Sequence, residues 1–170
     1  MIIHMQELTS KGKTKSFDER MEIGQLIEGR GDVLSAGPLH IELQAHGEEE
    51  LAVVEGRLTV NLELACSRCL NPVKEHVEIP FAERFAHNPD KDKDDDKEDE
   101  DVSVVQDDKV DLTPYVEQSL LLALPYAPLC SEDCKGLCQE CGADLNRGEC
   151  GCSRVVIDPR LAGLKDFFKS

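Results

Sequence analysis

The chain has 170 residues, of which 40% are hydrophobic but only 4% aromatic, and it has no tryptophan. That length suits one domain, or one domain with a small appendage, and its core must rest on Leu, Val and Ile. A formal net charge of −16 argues against a protein that grips phosphates over a broad surface, and no apolar run approaches the roughly 18 residues of a membrane span.

The first half reads as β. Residues 2–8 suggest a strand, as do residues 17–23, 33–43 and 51–54. The opening Met1-Ile2-Ile3-His4-Met5 is too short for the apolar region of a signal peptide, so a soluble, cytoplasmic protein is expected. The clearest strand is Leu58-Thr59-Val60-Asn61-Leu62-Glu63-Leu64-Ala65, which alternates apolar and polar as a half-buried strand must. It leads into Cys66-Ser67-Arg68-Cys69. After Asn71-Pro72 the alternation resumes at Val77-Glu78-Ile79-Pro80-Phe81. This places the Cys66–Cys69 pair at the tip of a hairpin.

The pattern breaks from His87 to Asp101. Between Asp90 and Asp101 nine acids and three lysines give a local net charge of −6. With no aliphatic side chain the stretch cannot bury enough surface to fold alone, and it reads as a flexible loop. A solvated spacer is the simple account of it; an acidic arm for a basic partner is the other. Order should return with a short strand at residues 102–105. Thr113-Pro114 signals a helix start, with Thr as the cap and Pro in the first position. That helix should run to about Leu124 and stop at Pro125. Val116, Leu120 and Leu124 share one face, widened by Leu121 and Ala123, and such a stripe reads as core. Asp158-Pro159 should start a terminal helix with Leu161, Leu164 and Phe168 on one face.

Eight cysteines carry the strongest chemical signal. One set is Cys66 and Cys69; the other is Cys130, Cys134, Cys138, Cys141, Cys150 and Cys152. Four thiolates make a closed tetrahedral structural zinc site, so eight can hold one or two ions. Cys138-Gln139-Glu140-Cys141-Gly142 reads as a zinc knuckle, with Cys150 and Cys152 able to complete it. Cys130 and Cys134 could then be joined by the distant Cys66 and Cys69, and the second ion would clip two halves of the chain together. Disulfides, which need an oxidising compartment, and free thiols remain the other accounts of these residues.

No P-loop, nucleophile elbow or dinucleotide glycine pattern is present. The histidines at 4, 40, 46, 76 and 87 lack mutual metal-ligand spacing, and no catalytic or cofactor-binding residue is assigned. Asp144 reads as a turn acceptor. The expected fold is α+β: an antiparallel β-rich meander or partial barrel, one Leu-rich helix, a C-terminal Cys-rich zinc module and a terminal helix. The segments are a β-rich body over 1–86, an acidic loop over 87–108, and the helix, zinc module and terminal helix over 109–170, forming one composite domain.

Several of these segments together resemble the YceD family of large ribosomal RNA subunit accumulation proteins. They are Cys66-Ser67-Arg68-Cys69-Leu70-Asn71-Pro72-Val73, Asp111-Leu112 through Leu121-Leu122-Ala123-Leu124-Pro125, and Pro128-Leu129-Cys130. Cys134-Lys135-Gly136-Leu137-Cys138 to Asn146 and Asp158-Pro159-Arg160-Leu161-Ala162 are similar to its cysteine-rich members. The resemblance spans roughly residues 50–168, and the first 50 match only in general character. It implies a non-enzymatic role in making or retaining large-subunit (23S) ribosomal RNA, and brings no catalytic residues.

Charge refines the expected partner. Affinity for phosphate backbone comes from Lys and Arg displacing counterions, and an acidic chain is better suited to hold a basic ribosomal protein or a large-subunit precursor particle, touching ribosomal RNA only indirectly. Two other readings stand beside this one. The first is a direct RNA-binding zinc protein using Arg57, Arg68, Lys74, Arg84, Arg154, Arg160 and Lys165. The second is a zinc-dependent enzyme, or a zinc/thiol redox sensor or regulatory protein.

Overall fold

The computed structural model describes residues 1–88 and 102–152. The expected terminal helix and most of the acidic loop lie outside the described residues. The main sheet contains β2 (Lys15–Met21), β4 (Leu39–Glu48), β5 (Leu51–Ala65), β6 (Pro72–His87) and β7 (Val102–Val105), side by side in that order. β3 (Val33–Ala36) pairs with β5 at residues 62–64, past the stretch that β4 occupies. All pairings are antiparallel except β6 with β7. A second, two-stranded sheet joins β1 (Ile2–His4) to β8 (Lys109–Asp111). The sheets are open, so the meander is realised and the partial barrel is not.

Alternation builds one buried face. Leu39, Ile41, Leu43 and Ala45 on β4 point the same way as Val54, Leu58, Val60, Leu62 and Leu64 on β5 and Ile79, Phe81 and Phe85 on β6, and all are buried. The opposite face is polar, with Arg57 paired to Glu42 at 2.9 Å and His40 to Asp18 at 2.8 Å. An antiparallel sheet can be wet on one side in this way.

Helix α2 (Thr113–Ala123) helps cover the apolar face. Its Val116 and Leu120 are fully buried, each contributing about 1.5–3 kcal/mol by removal from water. The Tyr115 ring meets Phe85 edge-on at 4.9 Å. Leu121, expected to widen the buried stripe, is 40% exposed instead. The expected Thr113 cap is also displaced: Thr113 is the first helical residue, and Asp111 accepts both its N–H (3.0 Å) and its hydroxyl (2.7 Å).

Three strand readings change. Only residues 2–4 of the expected 2–8 strand are extended; Met5–Thr9 form helix α1. Met5 and Leu8, one turn apart, are both buried. The distant Asp108 serves the helix start, its carbonyl accepting the Met5 N–H and its Oδ1 the Gln6 N–H, each at 2.8 Å. The 33–43 stretch breaks at Gly37-Pro38 into β3 and β4, where Pro lacks a ladder donor. The stretches 51–54 and 58–65 are one strand through Gly56, which lies opposite Leu43 and Phe81. A Cβ at Gly56 would run into the Glu42 carbonyl oxygen, so only glycine allows this approach. Pro80 is tolerated inside β6 because β7 pairs only with residues 84–87, leaving no described strand on that edge beside Pro80.

Candidate metal centres

The hairpin of β5 and β6 carries the first cysteine pair at its tip. The Leu70 N–H donates to the Cys66 carbonyl (2.9 Å), and the Cys66 N–H to the Asn71 carbonyl (2.8 Å). Leu70 has φ +61°, the left-handed region that L residues seldom enter. The same turn recurs at Cys138. There the Gly142 N–H donates to the Cys138 carbonyl and the Cys138 N–H to the Ala143 carbonyl, both at 2.8 Å, with Gly142 at φ +74°. Both Cys-x-x-Cys segments therefore make one knuckle, in which the backbone doubles back and aims two sulfurs to one side. Leu in place of Gly conceals the likeness at the first knuckle.

The segment after α2 returns to the hairpin tip and is tied to it by backbone contacts. The Pro128 carbonyl accepts the Ser67 N–H (2.8 Å) and hydroxyl (3.0 Å). Arg68 donates Nη1 to the carbonyls of Glu132 (3.1 Å) and Cys134 (2.8 Å), while its own carbonyl accepts the Leu137 N–H (3.0 Å). Gly136, at φ +74°, lies so close that a Cβ there would be 2.9 Å from the Arg68 carbonyl oxygen. A small apolar cluster of Cys66, Cys69 and Cys134 with Val73, Leu129 and Leu137 sits apart from the main core.

The eight sulfurs fall into two groups of four, Cys66 with Cys69, Cys130 and Cys134, and Cys138 with Cys141, Cys150 and Cys152; within each, every sulfur lies within 4.8 Å of the others. All eight are free thiols. Four sulfurs around one ion at about 2.3 Å would stand about 3.8 Å apart. Cys66 Sγ is 3.8 Å from Cys134 Sγ, and Cys69 Sγ is 3.5 Å from Cys130 Sγ. Either group can hold a metal ion.

Electrostatics point the same way. Burial pushes the Cys66 thiol up, but backbone N–H groups of Cys130, Arg68 and Cys69 bring it down to about 6. Cys130 is pushed up to about 12 by the thiols of Cys69 and Cys134. In the second group the Cys141 and Glu140 N–H groups bring Cys138 down to about 6, while Cys141 and Cys150 push Cys152 up to about 12. Four sulfurs this close cannot all carry charge without a cation among them, and a bound divalent ion removes that conflict.

Sequence reasoning missed the residues around the sulfurs. Asn146 donates Nδ2 to Cys134 Sγ at 3.4 Å. Asp144 accepts from Asn146 N (2.9 Å), Asn146 Nδ2 (2.8 Å) and Asn71 Nδ2 (3.2 Å). It is the turn acceptor its setting suggested, and it also reaches back to the hairpin. Arg68, one of the candidate RNA contacts, is spent on carbonyls, and Arg57 on Glu42. The Asp144–Asn146 turn is local, but nothing in the local sequence marks the bonds from Arg68 to the carbonyls near Cys134 or from Asn71 to Asp144, because those cross between segments far apart in the chain.

A family profile described as large ribosomal RNA subunit accumulation protein YceD matches residues 54–168. An uncharacterised protein of Mycobacterium tuberculosis is 36% identical over 126 residues, 74% of this chain and 60% of the relative. The chain thus spans about 60% of the length of the mycobacterial relatives it matches. YlbN of Bacillus subtilis is 31% identical over 154 residues, covering 90% of this chain and 87% of its own length. A protein of Haemophilus influenzae named large ribosomal RNA subunit accumulation protein YceD is 29% identical over 120 residues, 70% of this chain and 68% of the relative. No solved structure matches. Among the described residues, no helix is long and apolar enough to cross a membrane.

Proposed function

The chain belongs to the YceD family, and on that premise we propose that it is a non-enzymatic factor supporting the accumulation of large-subunit ribosomal RNA by holding a basic large-subunit protein or precursor particle. The observation that carries the choice of partner is the net charge of −16. A surface of that sign attracts lysine- and arginine-rich proteins at long range and speeds their encounter, and it repels bare phosphate backbone. Two of the seven basic side chains named for a direct RNA contact already have partners within the chain, Arg68 on the carbonyls of Glu132 and Cys134 and Arg57, still exposed, on Glu42.

In this reading the eight cysteines hold two structural zinc ions. The first clips the β5–β6 hairpin to the segment after α2; the second closes the C-terminal module. The clip makes a rigid platform from parts that share little apolar surface, since metal-binding free energy is folding free energy. Neither foursome needs a water or substrate position, so the ions serve structure and no reaction step is assigned to them.

The test is a pull-down with the full chain at low and high salt. A basic large-subunit protein should be captured at low salt and released as ionic strength rises. Recovery of protein-free ribosomal RNA with no basic protein would refute the partner. In cells depleted of the protein the ratio of large- to small-subunit ribosomal RNA should fall; an unchanged ratio under full depletion would refute the ribosomal role. Metal analysis of the purified chain should give two zinc ions, and Cys138→Ser should remove one.

A further inference from the structure

We infer that Asn146 couples the two metal centres, so that closing the second favours loading of the first. This rests on the reading of the eight cysteines as zinc ligands.

Asn146 lies between Cys141 and Cys150, inside the loop that the second centre closes. Its side chain leaves that loop and works on the first centre. Nδ2 donates to Cys134 Sγ at 3.4 Å, and Oδ1 accepts the N–H of Lys135, the next residue after that ligand, at 2.8 Å. Asp144 fixes the amide by accepting Nδ2 at 2.8 Å and the Asn146 N–H at 2.9 Å. Asp144 also accepts Asn71 Nδ2 at 3.2 Å, two residues beyond the Cys69 ligand on the hairpin. A further rung joins the Leu145 N–H to the Gly136 carbonyl at 2.9 Å. The Asp144–Asn146 pair therefore touches both stretches of chain that supply the first centre, while it lies in the loop that the second closes.

The chemistry gives the contact a sign. A divalent ion with four thiolates carries two net negative charges, and an N–H aimed at a sulfur stabilises that excess. Cys66 Sγ receives such a bond from the Cys130 N–H at 3.4 Å, a donor supplied within the first centre itself. Cys134 receives its side-chain donor from the other centre's loop. An open loop in the second centre withdraws that donor and frees the Lys135 backbone. Coupling of this kind is reciprocal: the first ion must favour the second by the same factor. Asn146 is thus a positioning residue whose placement is set by one ion and felt by the other.

The test is cobalt and zinc titration of the reduced, chelator-stripped full chain against a competing chelator, with far-UV circular dichroism to verify the sheet. Asn146→Ala should weaken the first centre by about 10–100-fold, the usual loss for a partner of a metal ligand. Its sulfur-to-cobalt charge-transfer band should move to lower energy as the thiolate loses its donor, a change that looser packing alone would not produce. Asp144→Asn, which loosens the amide but leaves it present, should give a smaller loss of the same kind. Disabling the second centre with Cys138→Ser plus Cys141→Ser should weaken the first about tenfold or more in the native background. The same change should weaken it by no more than about twofold once Asn146 is alanine. Equal weakening in both backgrounds, or an unshifted band with native affinity in Asn146→Ala, would overturn the coupling. A native chain that takes up no ion would overturn the zinc reading itself, whereas two ions that load independently would overturn only this inference.

Discussion

Gly136 offers a sharp test of how the module docks on the hairpin. Its φ of +74° lies in the left-handed region, where an L residue costs about 1–2 kcal/mol. Replacing glycine also stiffens the unfolded chain, which returns about 0.4–1 kcal/mol, so conformation alone should cost about 1 kcal/mol. At Gly136 a methyl group would additionally sit 2.9 Å from the Arg68 carbonyl oxygen and 3.3 Å from Arg68 Cβ. Moving that carbonyl weakens its bond to the Leu137 N–H, worth about 1 kcal/mol, and crowds the turn between Cys134 and Cys138. The expected total for Gly136→Ala is about 2–3 kcal/mol, or a loss of roughly 30- to 150-fold in zinc affinity at the first centre. Gly142 supplies the control. It has the same φ of +74°, but a Cβ there would meet nothing within 4 Å, so Gly142→Ala should cost about 1 kcal/mol, near fivefold, at the second centre. Zinc competition against a chromophoric chelator, run on both variants, measures the difference. Equal effects of the two substitutions would refute the packing of Gly136 on Arg68.

The remaining predictions concern the core, the acid side of stability and the metal. Phe85→Ala removes a fully buried ring and its edge contact with Tyr115, so it should cost about 3–5 kcal/mol, read as a lower urea midpoint. Asp108 is held below the usual carboxylate range, first by the Gln6 N–H and also by His4. Because its folded pKa is depressed, the stability it adds is present above about pH 4 and is lost as pH falls through the folded value. Asp108→Asn should therefore be less stable than the native chain near neutral pH, with the gap closing in acid; a gap that persisted at low pH would refute the linkage. Chelator treatment should abolish amide protection over residues 128–152 while the far-UV signal of the sheet persists. The cysteine cluster and the main core are separate, and collapse of the whole sheet on metal removal would contradict that separation.

Leu58 to Ala65 could be read as a strand from its alternation alone, and helix α2 from Thr113-Pro114, a leucine stripe and Pro125, because those signals are local and the physics that uses them is local. The cysteine spacing likewise pointed to a metal before any fold was known, with disulfides and free thiols as the other accounts. Other features depended on partners distant in the chain. Met5–Thr9 is helical because Asp108 serves its N-terminus, and the 51–65 strand runs unbroken because Gly56 fits beneath the Glu42 carbonyl. Leu70 hides a knuckle that glycine advertises at Gly142, since the turn is enforced by hydrogen bonds at either end of the hairpin tip. Arg68, Asp144 and Asn146 look ordinary in the sequence, where no local pattern links Arg68 to the carbonyls near Cys134 or Asn146 to its sulfur. Ligand chemistry, charge and the alternating strands were legible from the residues alone, because they are properties of residue type and near-neighbour spacing. The division into two foursomes was an expectation of the spacing, and the fold places the sulfurs in those groups; what orients them emerged only on folding, because the β5–β6 hairpin carries Cys66 and Cys69 to a segment about sixty residues away.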